Sequence, residues 1–158
     1  MKISGFTFVK NAVKLFIPVR ESILSVLPLV DEFIVLLGDS DEDDNTEELI
    51  RSIDSDKVKI HRNKWDTGNY KGTMVFAHQT DLAKDLCTGD WLIYMQSDEA
   101  LHDKDHPIIR KAIEKYNDEP AVEGFLFNYY HFWGDFRHYH TSYAWYPREI
   151  RIIRNLPE

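Results

Sequence analysis

Apolar positions fall into two patterns along the chain: short runs of large aliphatic and aromatic side chains, and longer stretches at helical spacing, with polar or acidic loops between them. Residues 3–9 read as a first strand, with Ile3, Gly5, Thr7 and Val9 on one side and Phe6 and Phe8 on the other. Lys10-Asn11 opens a loop. Pro18 suits a first helical turn, and Val19, Ile23, Val26 and Leu27 recur at helical spacing until Pro28 stops the helix. A second buried strand, 33–37, ends in Gly38-Asp39-Ser40-Asp41-Glu42-Asp43-Asp44, after which Asn45 and Glu48 predict a capping box and a short helix through Ile53. Residues 58–61 make a third strand. The loop 62–72, with Trp65, Gly68 and Gly72, leads to a helix over 73–86 whose apolar stripe is Val75, Leu82 and Leu86, with Phe76 and Ala83 beside it. A strand over 91–95 and a helix over 107–116 follow, the latter with Ile108, Ile109, Ala112, Ile113 and Tyr116 on one face; 122–130 and 149–154 are the last strand candidates. This alternation predicts an α/β Rossmann-like domain, a mainly parallel central sheet with helices on both faces.

Composition sharpens the class. At 158 residues, 43% hydrophobic and 13% aromatic, the chain can bury one sizeable core, so residues 1–158 are expected to form a single domain. No apolar run is long enough for a transmembrane segment and the first residues lack a signal-peptide pattern, which predicts a cytoplasmic protein. The lone Cys87 excludes an intramolecular disulfide and reads as a buried thiol. A net charge of -8 argues against nucleic acid as a partner, because phosphate backbones need clustered Lys and Arg. A small anion bridged by a metal remains compatible.

Chemistry concentrates where the strand 91–95 runs into Gln96-Ser97-Asp98-Glu99. Charges at a strand's carboxyl end face the ligand crevice of an open sheet. Carboxylates there are hard oxygen ligands suited to Mg²⁺ or Mn²⁺, and such an ion would clamp a diphosphate. The plain alternative is an acidic loop that caps the next helix.

Several segments in order, Lys10-Asn11 after the first strand, Val30-Asp31-Glu32-Phe33-Ile34-Val35 before the acidic loop, Thr88-Gly89-Asp90-Trp91, Ser97-Asp98-Glu99 and the late Arg148-Glu149-Ile150-Arg151, resemble the family 2 glycosyltransferases. The resemblance implies a GT-A fold and a nucleotide-sugar donor. It assigns Val9, Lys10 and Asn11 to the uridine and diphosphate pocket. The family's acidic residue at the end of the second strand is replaced by Gly38, with Asp39 next, so either the loop is shifted by one or the contact is lost. Its Asp-X-Asp metal motif reads Gln96-Ser97-Asp98 here; Gln96 offers a neutral carbonyl oxygen, which removes a charge from the site. Asp98 is the implied metal ligand, Glu99 a second carboxylate, and Gln96, Ser97, Arg148 and Arg151 join the nucleotide-binding set. A divalent Mg²⁺ or Mn²⁺ would therefore bind weakly without nucleotide.

The implied activity is inverting transfer of a sugar, from a UDP-sugar, to a saccharide or lipid-linked acceptor, with polysaccharide biosynthesis as the setting. Such transfer needs a carboxylate base. Asp135, in Phe132-Trp133-Gly134-Asp135-Phe136, is preferred over Glu123, because a loop flanked by rings can stack on a sugar and exclude water. A plain turn residue after Gly134 is the competing reading. Family 2 enzymes usually run well past this length, so the chain, stopping at Leu156-Pro157-Glu158, reads as a truncated or excised domain or a minimal relative. The non-enzymatic alternative is a nucleotide-sugar-binding or assembly module. A nucleotidyltransferase fits less well, since residues 9–14 contain no glycine.

The run Tyr129-Tyr130-His131-Phe132-Trp133, with His138, Tyr139, His140, Tyr143, Trp145 and Tyr146, reads as an acceptor platform, a hydrophobic cover, or half of a homodimer interface, the last two suiting most members better. His102 and His106 with Asp98 and Asp103 imitate a zinc site without a tetrahedral set, and the acidic run 39–44 lacks the spaced ligands of an EF-hand.

Overall fold

In a computed structural model describing residues 1–142 and 145–156, the chain enters on β1 (Ile3–Val9), crosses by α1 (Val19–Val26) to β2 (Glu32–Leu37), and continues by α2 (Thr46–Arg51) to β3 (Val58–Arg62). Helix α3 (Met74–Asp85) carries it back to β4 (Trp91–Tyr94), and α4 (His106–Tyr116) leads to β5 (Gly124–Asn128). A hairpin of β6 (Phe132–Trp133) and β7 (Asp135–Tyr139) precedes the last strand, β8 (Arg148–Arg154). Six strands form one sheet in the order β3-β2-β1-β4-β8-β5. The first four are parallel, each joined to the next through a helix; β8 inserts antiparallel between β4 and β5. Tyr143, Pro157 and Glu158 lie outside the described residues.

Alternation along the central strands feeds two apolar layers. Ile3, Val9, Val35, Trp91 and Ile93 pack against Ile23 of α1, Ile50 of α2 and Ile113 of α4 on one face. Phe6, Ile34, Leu36 and Leu92 pack against Ala83 of α3 and Cys87 on the other. Trp91 is fully buried, with Phe125 against its ring and the Arg154 guanidinium 4.3 Å from its centroid. Arg154 also donates to the carbonyls of Tyr116, Asn117 and Glu119, a cation where the carbonyls at the end of α4 lack helical partners.

The amino-terminal edge of the sheet is closed by one carboxylate. Glu32 is 2% exposed and accepts hydrogen bonds from Ser4, Lys59 and Thr88, while its second ion pair is to Lys2. Gly89 completes this turn because a Cβ there would lie 2.7 Å from Ser4 N. Thr88-Gly89-Asp90 is thus a structural splice between β1 and β4, at the end of the strands away from the acidic turn.

Three expectations are corrected. Asn45 makes no capping bond; Asp44 accepts from Thr46 N at 2.9 Å instead, and the Thr46 hydroxyl accepts from Ala12 N at 2.7 Å, which pulls the start of α2 onto the loop after β1. The buried stripe of α3 is Val75, Gln79 and Ala83, leaving Leu86 and Phe76 partly in solvent, because the helix presents its i, i+4, i+8 row to the sheet. Asp135 is not in an open loop: it opens β7 directly after Gly134, whose φ of 76° makes the tight turn from β6.

Candidate functional site

Because β1, β3 and β4 run parallel, their carboxyl ends and following loops lie at one edge of the sheet, where β1, β4, the loops after β1, β3 and β4, and α3 line a cleft of about 540 Å³. That volume lies within the range of small-molecule sites. One wall is aromatic: the rings of Phe8, Trp65 and Phe76 lie within 5.7 to 5.9 Å of one another, centroid to centroid. Val9, Lys10 and Asn11 line one side, and Gln96, Ser97 and Asp98 the other, with Leu15 and Ile17 between them.

Gly38 shows why no acidic side chain ends β2. A Cβ at that position would sit 2.5 Å from Trp65 Nε1 and 2.9 Å from Lys10 Cβ. The acid is displaced to Asp39, which accepts from Lys10 Nζ at 2.9 Å and from Trp65 N at 3.3 Å. The Lys10 hydrogen bond, opposed by partial burial, holds the Asp39 carboxyl below its ordinary value. Lys10 also lies 5.6 Å from the centroid of the Trp65 ring, so its ammonium sits at the junction of the aromatic wall and the acidic loop.

Asn11 has a φ of 54°, a left-handed conformation that Asn adopts more readily than most residues. Its backbone N–H donates to Ser40 Oγ at 3.0 Å and its side-chain oxygen accepts from Asp41 N at 2.8 Å. Lys14 is ion-paired with Asp41 and Asp43, and its N–H donates to Asp44. The acidic run is therefore a strap that fastens the loop after β1, with Asp39 paired to Lys10 and Asp41 and Asp43 to Lys14.

The turn after β4 is closed twice. Glu99 N donates to Gln96 O at 3.0 Å, and the Glu99 carboxylate accepts from Gln96 N at 3.2 Å. Ser22 of α1 braces it by donating to the same Gln96 carbonyl at 3.1 Å. Asp98 is left exposed at the cleft, without a hydrogen bond or ion pair among the described residues.

Of the sequence-predicted residues, Val9, Lys10, Asn11, Gln96, Ser97 and Asp98 are gathered in this cleft, and Asp39 stands behind Lys10. Glu99 and Arg151 do not line the cleft and are bound to each other: Arg151 Nε and Nη2 reach the two Glu99 oxygens at 2.9 and 2.8 Å. Arg148 begins β8 exposed and does not line the cleft. Asp135 accepts from Arg137 N at 2.8 Å and from the Arg137 guanidinium at 3.0 Å, with the His138 ring at 2.8 Å. The Arg137 backbone bond, then His138 and the guanidinium, hold its carboxyl below the ordinary aspartate value. Glu123 precedes β5, and its carbonyl accepts from Arg154 N beside the start of β4, at the far end of the strands from Asp98. The aromatic wall escaped the sequence reading because Phe8, Trp65 and Phe76 come from a strand, a loop and a helix; Gly38 next to the acidic run was its one local trace.

No group of three or more His, Cys, Asp or Glu poised for a metal exists among the described residues. A single unpartnered carboxylate, Asp98, beside the neutral Gln96 and Ser97, fits a hard divalent ion that completes its shell with phosphate oxygens and water, as Mg²⁺ commonly does.

A mostly parallel sheet with helices on both faces and a cleft at its carboxyl edge defines a GT-A, Rossmann-like domain. Among solved structures the chain is similar to S. aureus TarS 1-349 (20% identity over 74% of this chain and 33% of that one, TM-score 0.52) and to mannosyltransferase PcManGT from Pyrobaculum calidifontis in complex with GDP-Man and Mn²⁺ (17% identity, 78% and 34%, TM-score 0.53). Mannosyl-3-phosphoglycerate synthase from Rubrobacter xylanophilus is a third (18% identity, 78% and 38%, TM-score 0.51). These likenesses are of fold, and the chain spans between 33% and 38% of each neighbour's length. No protein-family model matches the chain, and no curated protein matches it in sequence. No helix among the described residues is long and apolar enough to cross a membrane.

Proposed function

We propose that the domain binds a nucleoside-diphosphate sugar, a UDP-sugar, in the cleft at the carboxyl ends of β1 and β4, and transfers the sugar with inversion to a saccharide or lipid-linked acceptor. One observation carries this reading: an unpartnered carboxylate, Asp98, shares a cleft with Lys10 and an aromatic wall. The base stacks on the wall formed by Trp65 and Phe8, and Lys10 faces the phosphates. Asp98 would hold a divalent Mg²⁺ or Mn²⁺, which when bound neutralises the charge that develops on the leaving diphosphate. The acceptor hydroxyl attacks the anomeric carbon from the face opposite the diphosphate; the C–O bond to phosphate breaks with its electron pair leaving on UDP. Asp135 takes the hydroxyl proton in this scheme.

A second reading is a nucleotide-sugar-binding module without transfer, favoured by Gln96 in place of an acid and by the engagement of Asp135 with Arg137 and His138. Calorimetric titration of UDP with and without Mn²⁺ tests the common part. Mn²⁺ should strengthen UDP binding by about tenfold, roughly 1.4 kcal/mol, and Asp98→Ala should remove that gain without altering the fold. An unchanged Mn²⁺ effect in Asp98→Ala sinks the site. Wild-type protein that binds a UDP-sugar yet neither hydrolyses nor transfers it, across a broad acceptor panel, decides for the binding module.

A further inference from the structure

The turn that carries Asp98 is gripped by two residues that do not line the cleft. Glu99 closes it through both its N–H and its carboxylate, and that carboxylate is bound in turn by the Arg151 fork at 2.9 and 2.8 Å. Both side chains are nearly out of solvent, 8% exposed for Arg151 and 13% for Glu99. The guanidinium lies 5.3 Å from the centroid of Tyr94 and 5.2 Å from that of Tyr129. Tyr94 is the last residue of β4 and lines the cleft, so one cation touches both the strand end and the turn beyond it. Its third nitrogen, Nη1, donates to Ile150 O at 3.2 Å and lies 3.8 Å from the Glu149 carboxylate, so all three nitrogens face groups of the protein.

We infer that Arg151 is a positioning residue for metal-assisted nucleotide binding: through Glu99 it fixes the turn at 96–99 and so aims Asp98 into the cleft. The inference rests on the nucleotide reading of that cleft. A turn of four residues with an exposed acidic side chain has many conformers of similar energy, and a buried bidentate pair at its end selects one. Neighbours that orient a metal ligand without touching the ion typically govern its affinity in this way. Burial among Tyr94, Tyr129 and Glu99 makes the pair hold at ordinary ionic strength, because charges removed from solvent are poorly screened.

The opposite assignment, Glu99 as a metal ligand restrained by Arg151, predicts the reverse sign, and one variant separates the two. In Arg151→Met the positioning role requires the Mn²⁺-dependent gain in UDP affinity to fall about tenfold or more, with metal-free UDP affinity nearly unchanged because Lys10 and the aromatic wall are intact. Arg151→Lys, which keeps the charge and loses the fork, should fall between. Should Arg151→Met unfold the chain, Glu99→Gln/Arg151→Met removes both charges, leaves neither ion uncompensated, and should lose the gain equally. Amide exchange on the ligand-free protein reads the turn directly: the Gln96 amide, protected in the wild type by the Glu99 carboxylate, should lose protection in these variants while Ile93 in β4 keeps its own. Tighter Mn²⁺-dependent binding in Arg151→Met overturns the proposal, as does a Gln96 amide as protected as in the wild type. Absence of UDP binding by the wild-type chain would refute the nucleotide reading alone, and the exchange experiment would still decide whether Arg151 holds the turn.

Discussion

Glu32 is the residue on which the amino-terminal edge of the sheet depends. Burial pushes its carboxyl up, but hydrogen bonds from Lys59, Thr88 and Ser4 outweigh it and hold the group well below the ordinary value of 4.5. A carboxyl lowered in the folded state contributes stability that is complete above the unfolded value, declines as pH drops below it, and is gone once pH falls through the lowered folded value. Glu32→Gln should thus cost about 2 kcal/mol at pH 7, the order expected for hydrogen bonds to a charged group. The difference from wild type should shrink steadily as pH falls from about 5 toward 2 in urea titrations. A gap that stays constant with pH would show that the lost packing matters and the charge does not. Nothing near Glu32 in sequence announces this role, since its partners lie 28, 27 and 56 residues away. Cys87, by contrast, was legible as a buried thiol from its apolar neighbours; burial pushes it up to about 12, which keeps it protonated and inert.

At the scale of elements, strands buried on both faces announced themselves as continuous apolar runs, and β1, β2 and β4 lie where those runs are. What the pattern could not show was direction: β8 reads as one more strand candidate, yet it returns antiparallel between β4 and β5. The cleft was half legible. Gln96, Ser97 and Asp98 follow from the strand-end rule, whereas the pairing of Glu99 with Arg151 spans 52 residues and has no local signature. The hairpin itself hid in an aromatic run whose rings are largely exposed, Trp133 at 69% and Phe136 at 87%, so no alternation of buried and exposed positions marked β7. Its Asp135 gives the element its own test. Asp135→Asn should keep UDP affinity and abolish transfer, because the amide preserves shape but cannot take a proton. Since Arg137 and His138 lower the carboxyl, a base at Asp135 stays ionised below the ordinary aspartate range, so wild-type transfer should show no loss from its protonation between pH 7 and 5. Full transfer by Asp135→Asn would assign the base to another residue.

Across the whole molecule, the sheet is a shared partition. Alternate residues of β1, β2 and β4 enter opposite apolar layers, so neither layer can be dismantled without withdrawing the strands that wall the other. We therefore expect residues 1–158 to unfold as one domain in a single cooperative transition. The hairpin lies outside that partition: β6 and β7 form a separate two-stranded sheet whose side chains are mostly exposed, and isolated hairpins are marginal in water. Far-ultraviolet and near-ultraviolet circular dichroism should give superimposable urea transitions, while amide exchange finds β7 opening well below the global free energy and β1 opening only with it. Trp91→Ala, which empties the most voluminous fully buried site where β4, β5 and Arg154 meet, should lower the unfolding free energy by about 3 to 5 kcal/mol and move the common midpoint down without splitting it. Two separated transitions in the wild type, or an Ala variant that melts one layer and spares the other, would mean that the layers fold independently. The cleft would then be a seam between two units, and its affinity for nucleotide would follow the stability of the weaker one.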